Sequence, residues 1–179
     1  MKKILIIALL ITAISANINA QTLLSTKAGV AKFNATGELV KIEAVNNQVD
    51  CKMLPTNGQI IFTLLIKGFR FENQLMEDHF NENYLESTQF PKASFKGFVT
   101  NIATVNFNAD GAYKVEAEGT LNIHGVDQKI KVPGTITVKS GKASLKSDFK
   151  VKLSDYKIAG SYIGEKIASE ANVQVNCNF

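Results

Sequence analysis

An alternation of apolar and polar residues with a period of two constrains the fold of this chain more than any other feature. The stretch from Tyr113 to His124 alternates throughout, and the pattern returns from Ala143 to Leu153 and from Ala171 to Phe179. A β-strand points successive side chains to opposite faces, so this pattern predicts strands that bury one face and expose the other. The sequence therefore predicts an antiparallel sheet with a solvated outer face.

Weaker strand patterns fill most of the remaining chain. They cover Gly29–Ala35, Leu39–Val45, Gln48–Leu54, Gln59–Phe71, Ala93–Asn101 and Lys129–Val138. Turns are predicted at Thr36-Gly37 and Asn46-Asn47, and a bulge or bend at Pro133-Gly134. Closely spaced short strands of this number favour a barrel or a sandwich. Because closure removes exposed edges, we expect an all-β antiparallel eight-stranded barrel, the size that encloses one small ligand.

One segment follows a different period. Large apolar or aromatic residues recur at every fourth position from Met76 to Tyr84. That spacing predicts an amphipathic helix of about three turns over Asn73–Leu85, with Asn73 as its N-cap. The glycine-containing segment Tyr156–Lys166 is predicted to form a loop or a short helix before the last strand.

The first residues predict the compartment. Two lysines precede an apolar run from Ile4 to Ile14, and small and polar residues lead up to Ala20. This is the order of a secretory signal peptide, and a run of about 11 residues is too short for a membrane-spanning helix. We therefore expect a signal peptide at residues 1–20, one mature domain at residues 21–179, and a periplasmic or secreted protein. Cleavage near Ser15 and retention as a membrane anchor are the alternatives.

The balance of charge argues against a nucleic-acid-binding protein. The whole chain carries 20 basic and 16 acidic residues, a net charge of +4. Without the two lysines of the signal peptide the net charge falls to about +2, and the other lysines are scattered instead of clustered with aromatic residues. The sequence therefore predicts no nucleic acid partner.

The chain contains two cysteines, Cys51 and Cys177. Cys51 shares its strand phase with Val49 and Cys177 shares its phase with Val175, so both thiols are predicted to point inward. An oxidising compartment permits a disulfide between them, which would stabilise the domain by roughly 4 to 5 kcal/mol. Two buried free thiols are the alternative.

Residues for catalysis or metal binding form no recognisable pattern. His79 and His124 have no carboxylate or thiol at metal-ligand spacing, and the chain lacks a nucleophile elbow, a phosphate-binding glycine loop and a Cys-X-X-Cys motif. Acidic residues such as Asp78 and Glu82 lie on the polar face of the predicted helix. We therefore predict a protein that is not an enzyme and that has no catalytic residue, metal or cofactor.

Three stretches carry motifs of a known kind. Asp78–Ser87 continues through Phe90–Gly97, Gly119–Val126 runs into the strand at Ile130, and Ser154–Ile158 precedes the last strand. In order and spacing they resemble the histidine-containing helix, the glycine-x-leucine hairpin and the serine–aspartate–aromatic step of the YceI-like family of secreted bacterial lipid-binding barrels. The resemblance covers nearly the whole predicted mature chain.

The resemblance implies a lipocalin-like antiparallel barrel with the helix packed across one opening. It also implies an apolar tunnel that holds a polyisoprenoid or quinone-like chain. The sequence departs from the family where the usual arginine before Ser154 is Leu153 and where the glycine after the aromatic residue is Lys157. Glu72-Asn73 replaces an arginine–aspartate pair that is common ahead of the helix. The resemblance therefore implies no head-group contact at these positions.

The predicted inner face and the helix supply the candidates for lipid binding. The tunnel candidates are Phe62, Leu64, Phe80, Tyr84, Phe95, Leu121, Ile123, Ile130, Val132, Phe149 and Val173. Tyr84 is the leading head-group contact, since its ring can line the wall while its hydroxyl meets a polar group, and His79, Asn83 and Ser154 are further candidates.

The expected function is that of a carrier or sink for an apolar lipid, without a permanent membrane anchor. The bound isoprenoid lipid is the expected ligand, and the sequence leaves a homodimer open. One alternative is a barrel enzyme that acts on a bound lipid. Another is a barrel whose interior is filled by its own side chains and that serves as an interaction or stress module.

Overall fold

The computed structural model describes residues 23–37 and 40–179. The predicted signal peptide at residues 1–20 and its cleavage site lie outside the described residues. Within the described ranges, none of the helices combines the length and the apolar character needed to cross a membrane.

Eight antiparallel strands close into a barrel, and a short ninth strand extends it. The elements are β1 (Leu24–Thr36), β2 (Glu43–Met53), β3 (Gln59–Leu65), β4 (Arg70–Phe71), α1 (Gln74–His79), β5 (Lys92–Val99), β6 (Gly111–Ile123), β7 (Val126–Lys139), β8 (Lys142–Lys152) and β9 (Ile167–Asn178). The sheet order is β1-β9-β8-β7-β6-β5-β3-β2, and the pairing of β1 with β2 closes the ring. The predicted eight-stranded, lipocalin-like all-β barrel is confirmed.

The alternation in the sequence places apolar side chains inside this barrel. In β6, Val115 and Leu121 are buried while Lys114 and Glu118 are exposed. The same strand continues into β7 through a two-residue turn in which His124 and Gly125 have φ angles of 52° and 71°. Two left-handed residues match the twist of an antiparallel hairpin, so this turn aligns the inner faces of both strands.

A bulge in β2 replaces the turn that was predicted at Asn46-Asn47. Before the bulge, Ala44 and Asn46 face inward, and after it Val49 and Cys51 face inward. Two exposed residues lie between Asn46 and Val49. The register to β1 shifts at the same place. An extra residue reverses the phase of a strand, and here it keeps both halves of β2 facing the core. The two strands predicted at Leu39–Val45 and Gln48–Leu54 are therefore one strand from Glu43 onward.

The side chain of Asn46 stabilises this bulge from inside the barrel. Asn46 is fully buried, its Nδ2 donates to the carbonyl of Leu65 at 2.9 Å, and its Oδ1 accepts from the N–H of Gln48 at 2.8 Å. The predicted strand Gln59–Phe71 is divided at the same point: β3 ends at Leu65 and a 3₁₀ turn at Ile66–Gly68 passes over the asparagine before β4. The buried amide thus supplies the partner that the interrupted β3 ladder lacks.

Replacing Asn46 with alanine should lower the free energy of unfolding by about 2 kcal/mol, because two backbone groups lose their partners at a largely buried site. Urea denaturation followed by far-UV circular dichroism measures the change. Asn47→Ala is the matched control: Asn47 is exposed, and its replacement should change stability by less than about 0.5 kcal/mol. Equal effects of the two variants would contradict the role assigned to Asn46.

Strand β7 runs without a break through Pro133-Gly134, so the predicted interruption there is wrong. Pairing with β6 continues through both residues, whereas pairing with β8 begins only at Gly134. At Pro133, β7 therefore has no β8 neighbour that would need a hydrogen bond from the backbone N–H that proline lacks. A sheet tolerates a proline at such a position. The Ser147 hydroxyl donates to the Pro133 carbonyl at 2.6 Å and joins the two strands at this point.

The predicted helix is present and its first turn is capped by Asn73, whose side chain accepts from the N–H groups of Leu75 and Met76. α1 continues as a wider π-helical turn over Phe80–Tyr84, in which the Leu85 N–H donates to the Phe80 carbonyl at 2.9 Å.

An aromatic cluster and an ion pair attach this helix to the barrel. Phe80 packs against Phe33, Phe69 and Phe71, with ring centroids 5.3, 5.7 and 5.0 Å away. On the neighbouring face, the Glu77 carboxylate accepts from the Arg70 guanidinium at 2.9 Å and from the Phe71 N–H at 3.2 Å. The helix is therefore fixed to β1 and β4 by both apolar and polar contacts.

The end of the barrel opposite the helix is packed solid. Met53 and Ile136 are fully buried, Val138 is nearly so, and all three belong to one continuous hydrophobic core. Cys51 and Cys177 are also fully buried at this end. We call these five residues the floor of the barrel.

Candidate functional site

A cavity of about 350 Å³ occupies the barrel between the floor and the helix. Every predicted tunnel residue lies on its wall, namely Phe62, Leu64, Phe80, Tyr84, Phe95, Leu121, Ile123, Ile130, Val132, Phe149 and Val173. The strands β3, β5, β6, β7, β8 and β9 contribute these side chains through their inward phase, and the helix contributes Phe80 and Tyr84. The volume falls in the range of pockets that hold small ligands.

Several wall residues were not among the sequence candidates. Phe33, Phe69 and Phe71 line the cavity beside Phe80, and Tyr162 and Lys166 line it from the segment before β9. The alternation in β1 places Phe33 in phase with Ala31 and Ala35, so that residue had a sequence signal. Phe69 and Phe71 had no such signal in the sequence, because their inward direction depends on the turn at Ile66–Gly68.

The polar side chains of the wall are few. The titratable ones are His79, Tyr84, Tyr162 and Lys166, and among the described residues no aspartate or glutamate lines the cavity. Burial and the neighbouring Tyr162 raise the pKa of Tyr84 above the ordinary value of a phenol. The Tyr84 hydroxyl is therefore a neutral group that can donate or accept a hydrogen bond at neutral pH.

The head-group candidates divide into two groups. Tyr84 and His79 lie on the cavity wall, whereas Asn83 and Ser154 are exposed and lie off the wall. Asn83 precedes Tyr84 on the helical turn and points to another side of it. Ser154 is the second residue of the 3₁₀ turn at Leu153–Tyr156, in which Leu153 takes the inward position instead.

His124 holds together three chain segments at the helix end of the barrel. Its Nε2 lies 2.7 Å from the Glu86 carboxylate and its Nδ1 lies 3.2 Å from the Tyr156 carbonyl. The Phe90 ring packs edge-on against the imidazole at 4.6 Å. Burial and nearby Asp155 raise the pKa of Tyr156 to about 12, so this phenol is neutral as well. His124 therefore joins structural elements and does not face the cavity.

The two cysteines are free and side by side in the floor. Burial and a hydrogen bond with Cys177 raise the pKa of the Cys51 thiol, which keeps it protonated. Gly29 lies between them on β1, where a Cβ atom would come within 2.8 Å of the Cys177 sulfur. The sequence placed both thiols inside the barrel correctly; the structure has them unbonded, and a disulfide formed in an oxidising compartment stays a prediction.

Metal-ligating side chains do not gather in this part of the molecule. Across the described residues, no group of three or more histidines, cysteines, aspartates or glutamates is arranged to hold a metal ion.

The model of the YceI-like domain matches residues 15–179. The chain belongs to the YceI-like family. A search of curated proteins finds no significant match. The family match covers the helix, the hairpin at His124-Gly125 and the segment Ser154–Ile158 before the last strand, which are the three regions where the sequence motifs lie.

Solved structures share the fold at low sequence identity. BcnA of Burkholderia cenocepacia has a TM-score of 0.68 and 15% identity, over 83% of this chain and 94% of its own. A polyisoprenoid-binding domain from Saccharophagus degradans, described as implicated in plant cell wall breakdown, has a TM-score of 0.70 and 14% identity, over 84% and 92%. The YceI protein of Campylobacter jejuni has a TM-score of 0.51 and 19% identity, over 74% and 80%.

Proposed function

We propose that this protein is a periplasmic or secreted lipid-binding protein that holds a long apolar chain, polyisoprenoid or quinone-like, in the barrel cavity and performs no reaction on it. The observation that carries the proposal is the cavity itself, which lies inside a closed barrel and is lined almost entirely by aliphatic and aromatic side chains. The expected partner is the apolar lipid.

The energetics of an apolar chain favour such a site. Burying one methylene group stabilises a complex by roughly 0.8 kcal/mol, so each five-carbon isoprene unit contributes several kcal/mol. A bilayer offers a similar gain, and transfer of the chain from membrane to barrel is therefore close to neutral. The specificity then depends on the few polar groups at the end of the cavity.

The comparisons support the same class of ligand. The related Saccharophagus degradans domain is described as binding polyisoprenoids, and it shares the barrel over most of both chains. The N-terminus begins with basic residues, continues with an apolar run and ends with small residues, which is the order of a secretory signal peptide. This order supports export to the periplasm or the medium, as the family resemblance also implies.

The cavity argues against a barrel filled by its own side chains, which was one alternative. The other alternative, an enzyme acting on the bound lipid, would use Tyr84, His79 or a carboxylate inside the barrel. Tyr84 is held neutral, and the described wall has no carboxylate that could act with it as a general base. We therefore favour the binding protein.

Native mass spectrometry of the full chain, expressed in a bacterium and purified from its periplasm, tests the proposal. We expect one species with the mass of a chain that begins at Gln21. We also expect a second species that is heavier by the mass of a bound lipid, and organic extraction should release that lipid. Added prenyl lipid at about 100 times its Kd should stabilise the delipidated protein by about 2.7 kcal/mol, and so raise the Tm by several degrees. If no lipid co-purifies and no prenyl lipid raises the Tm, the proposed function is wrong.

A further inference from the structure

A turn before β9 brings an aromatic ring and a lysine together. The Tyr162 carbonyl accepts from the N–H groups of Lys166 at 3.0 Å and Ile167 at 2.9 Å. A four-residue separation closed in this way puts the two side chains on the same side of the turn. The Lys166 ammonium lies 4.7 Å from the centroid of the Tyr162 ring, within the range of a cation–π contact.

This pair stands where the cavity meets solvent. Tyr162 and Lys166 both line the cavity, and both are exposed. Tyr84 packs against the same segment, since a Cβ atom on Gly160 would come within 2.6 Å of its ring, and Tyr162 is near enough to contribute to its raised pKa. We call Tyr84, Tyr162 and Lys166 the mouth cluster.

The chemistry of the mouth cluster selects the kind of head group. An ammonium only donates hydrogen bonds, a neutral phenol donates readily, and the described cavity wall adds no carboxylate. Because Lys166 is exposed, an anion could approach it without the large cost of burying two charges in an apolar interior. The ring of Tyr162 restrains the flexible lysine and reduces the entropy that binding would remove.

We propose that the mouth cluster is a head-group site for an anionic long-chain lipid, with a carboxylate or a phosphate monoester at Lys166 and the tail in the cavity. The inference rests on the proposed function, because it requires the tail to occupy the barrel. It assigns the specificity for charge to Tyr162 and Lys166, which lie outside the motifs by which the sequence resembles its family.

Competition between two lipids with the same tail tests the inference. Equimolar geranylgeranyl phosphate and geranylgeraniol are mixed with the delipidated protein, and native mass spectrometry gives the ratio of the two complexes. We expect the phosphate to be favoured about fivefold, the size of one exposed charge pair. Geranylgeranoic acid against the same alcohol provides the carboxylate arm and shows which anion the site prefers.

Lys166→Met keeps the length of the side chain and removes its charge, and we expect it to bring the phosphate-to-alcohol ratio close to one. Lys142→Met is the matched control: Lys142 is exposed at the far end of β8, and the variant removes the same charge from the protein while keeping the fivefold ratio. The preference of the wild-type protein for the phosphate over the alcohol should also decrease as the concentration of ammonium acetate is raised, because salt screens the charge of Lys166.

The outcomes separate the two proposals. If the wild-type protein binds both lipids equally, or Lys166→Met keeps the preference, the head-group site is wrong while lipid binding stands. If the wild-type protein binds neither the phosphate, the acid nor the alcohol, the proposed function and the head-group site fail together.

Discussion

Replacing Ala117 with phenylalanine is expected to weaken lipid binding by about a hundredfold while the barrel stays folded. Ala117 faces the cavity from β6, opposite Val99 in β5 and Val132 in β7. A benzyl group at this position would occupy the space of about one isoprene unit, whose lost burial corresponds to about 3 kcal/mol of binding free energy. The measurement is the lipid-bound fraction in native mass spectrometry, with circular dichroism to verify the fold.

The same strand provides the control. Ala112 also lies on β6, but it is exposed, so Ala112→Phe adds the same group to the outside of the barrel. We expect the lipid-bound fraction of this variant to match that of the wild-type protein. A normal lipid-bound fraction in Ala117→Phe would mean that the lipid does not occupy the cavity.

Removing the Phe80 ring should be the most destabilising change on the helix. Phe80→Ala deletes the contacts with Phe33, Phe69 and Phe71 that attach the helix to the barrel. Because Phe80 is half-buried, we expect a loss of about 3 kcal/mol in the free energy of unfolding, at the low end for phenylalanine-to-alanine changes. Urea denaturation measures it, and faster release of bound lipid should accompany it, since the helix covers the cavity.

Leu75→Ala is the matched control for this prediction. Leu75 lies on the same helix with 61% of its surface exposed, so its truncation should change stability by less than about 0.5 kcal/mol. A change of that size in Phe80→Ala as well would contradict the view that the aromatic cluster fixes the helix.

The strands could be predicted because a half-buried sheet has a period of two, and the helix because its apolar residues recur every fourth position after a capping asparagine. The bulge at Asn46 could not be predicted from β2 alone. Asparagine pairs are common in turns, and only the inward Leu65 carbonyl and the shifted register to β1 distinguish a bulge from a turn.

The division of the interior into floor and cavity could not be predicted from the sequence either. Ile136 and Leu121 have the same strand phase and similar chemistry, yet Ile136 is packed in the floor and Leu121 lines the cavity. What separates them is their height along the barrel and the side chains that reach them from opposite strands. The same reasoning applies to Tyr162 and Lys166, whose proximity depends on a turn that has no repeating pattern.

Intermolecular nuclear Overhauser effects test the central claim, that an isoprenoid chain lies inside the barrel. In the complex with an unlabelled prenyl lipid, the isoprenoid methyl protons should show contacts with the methyl groups of Leu121 and Val173 on the cavity wall. The floor residue Val138, which is buried beyond the cavity, should show none. Contacts confined to exposed residues such as Leu65 and Leu75 would place the lipid on the outer surface and contradict the account.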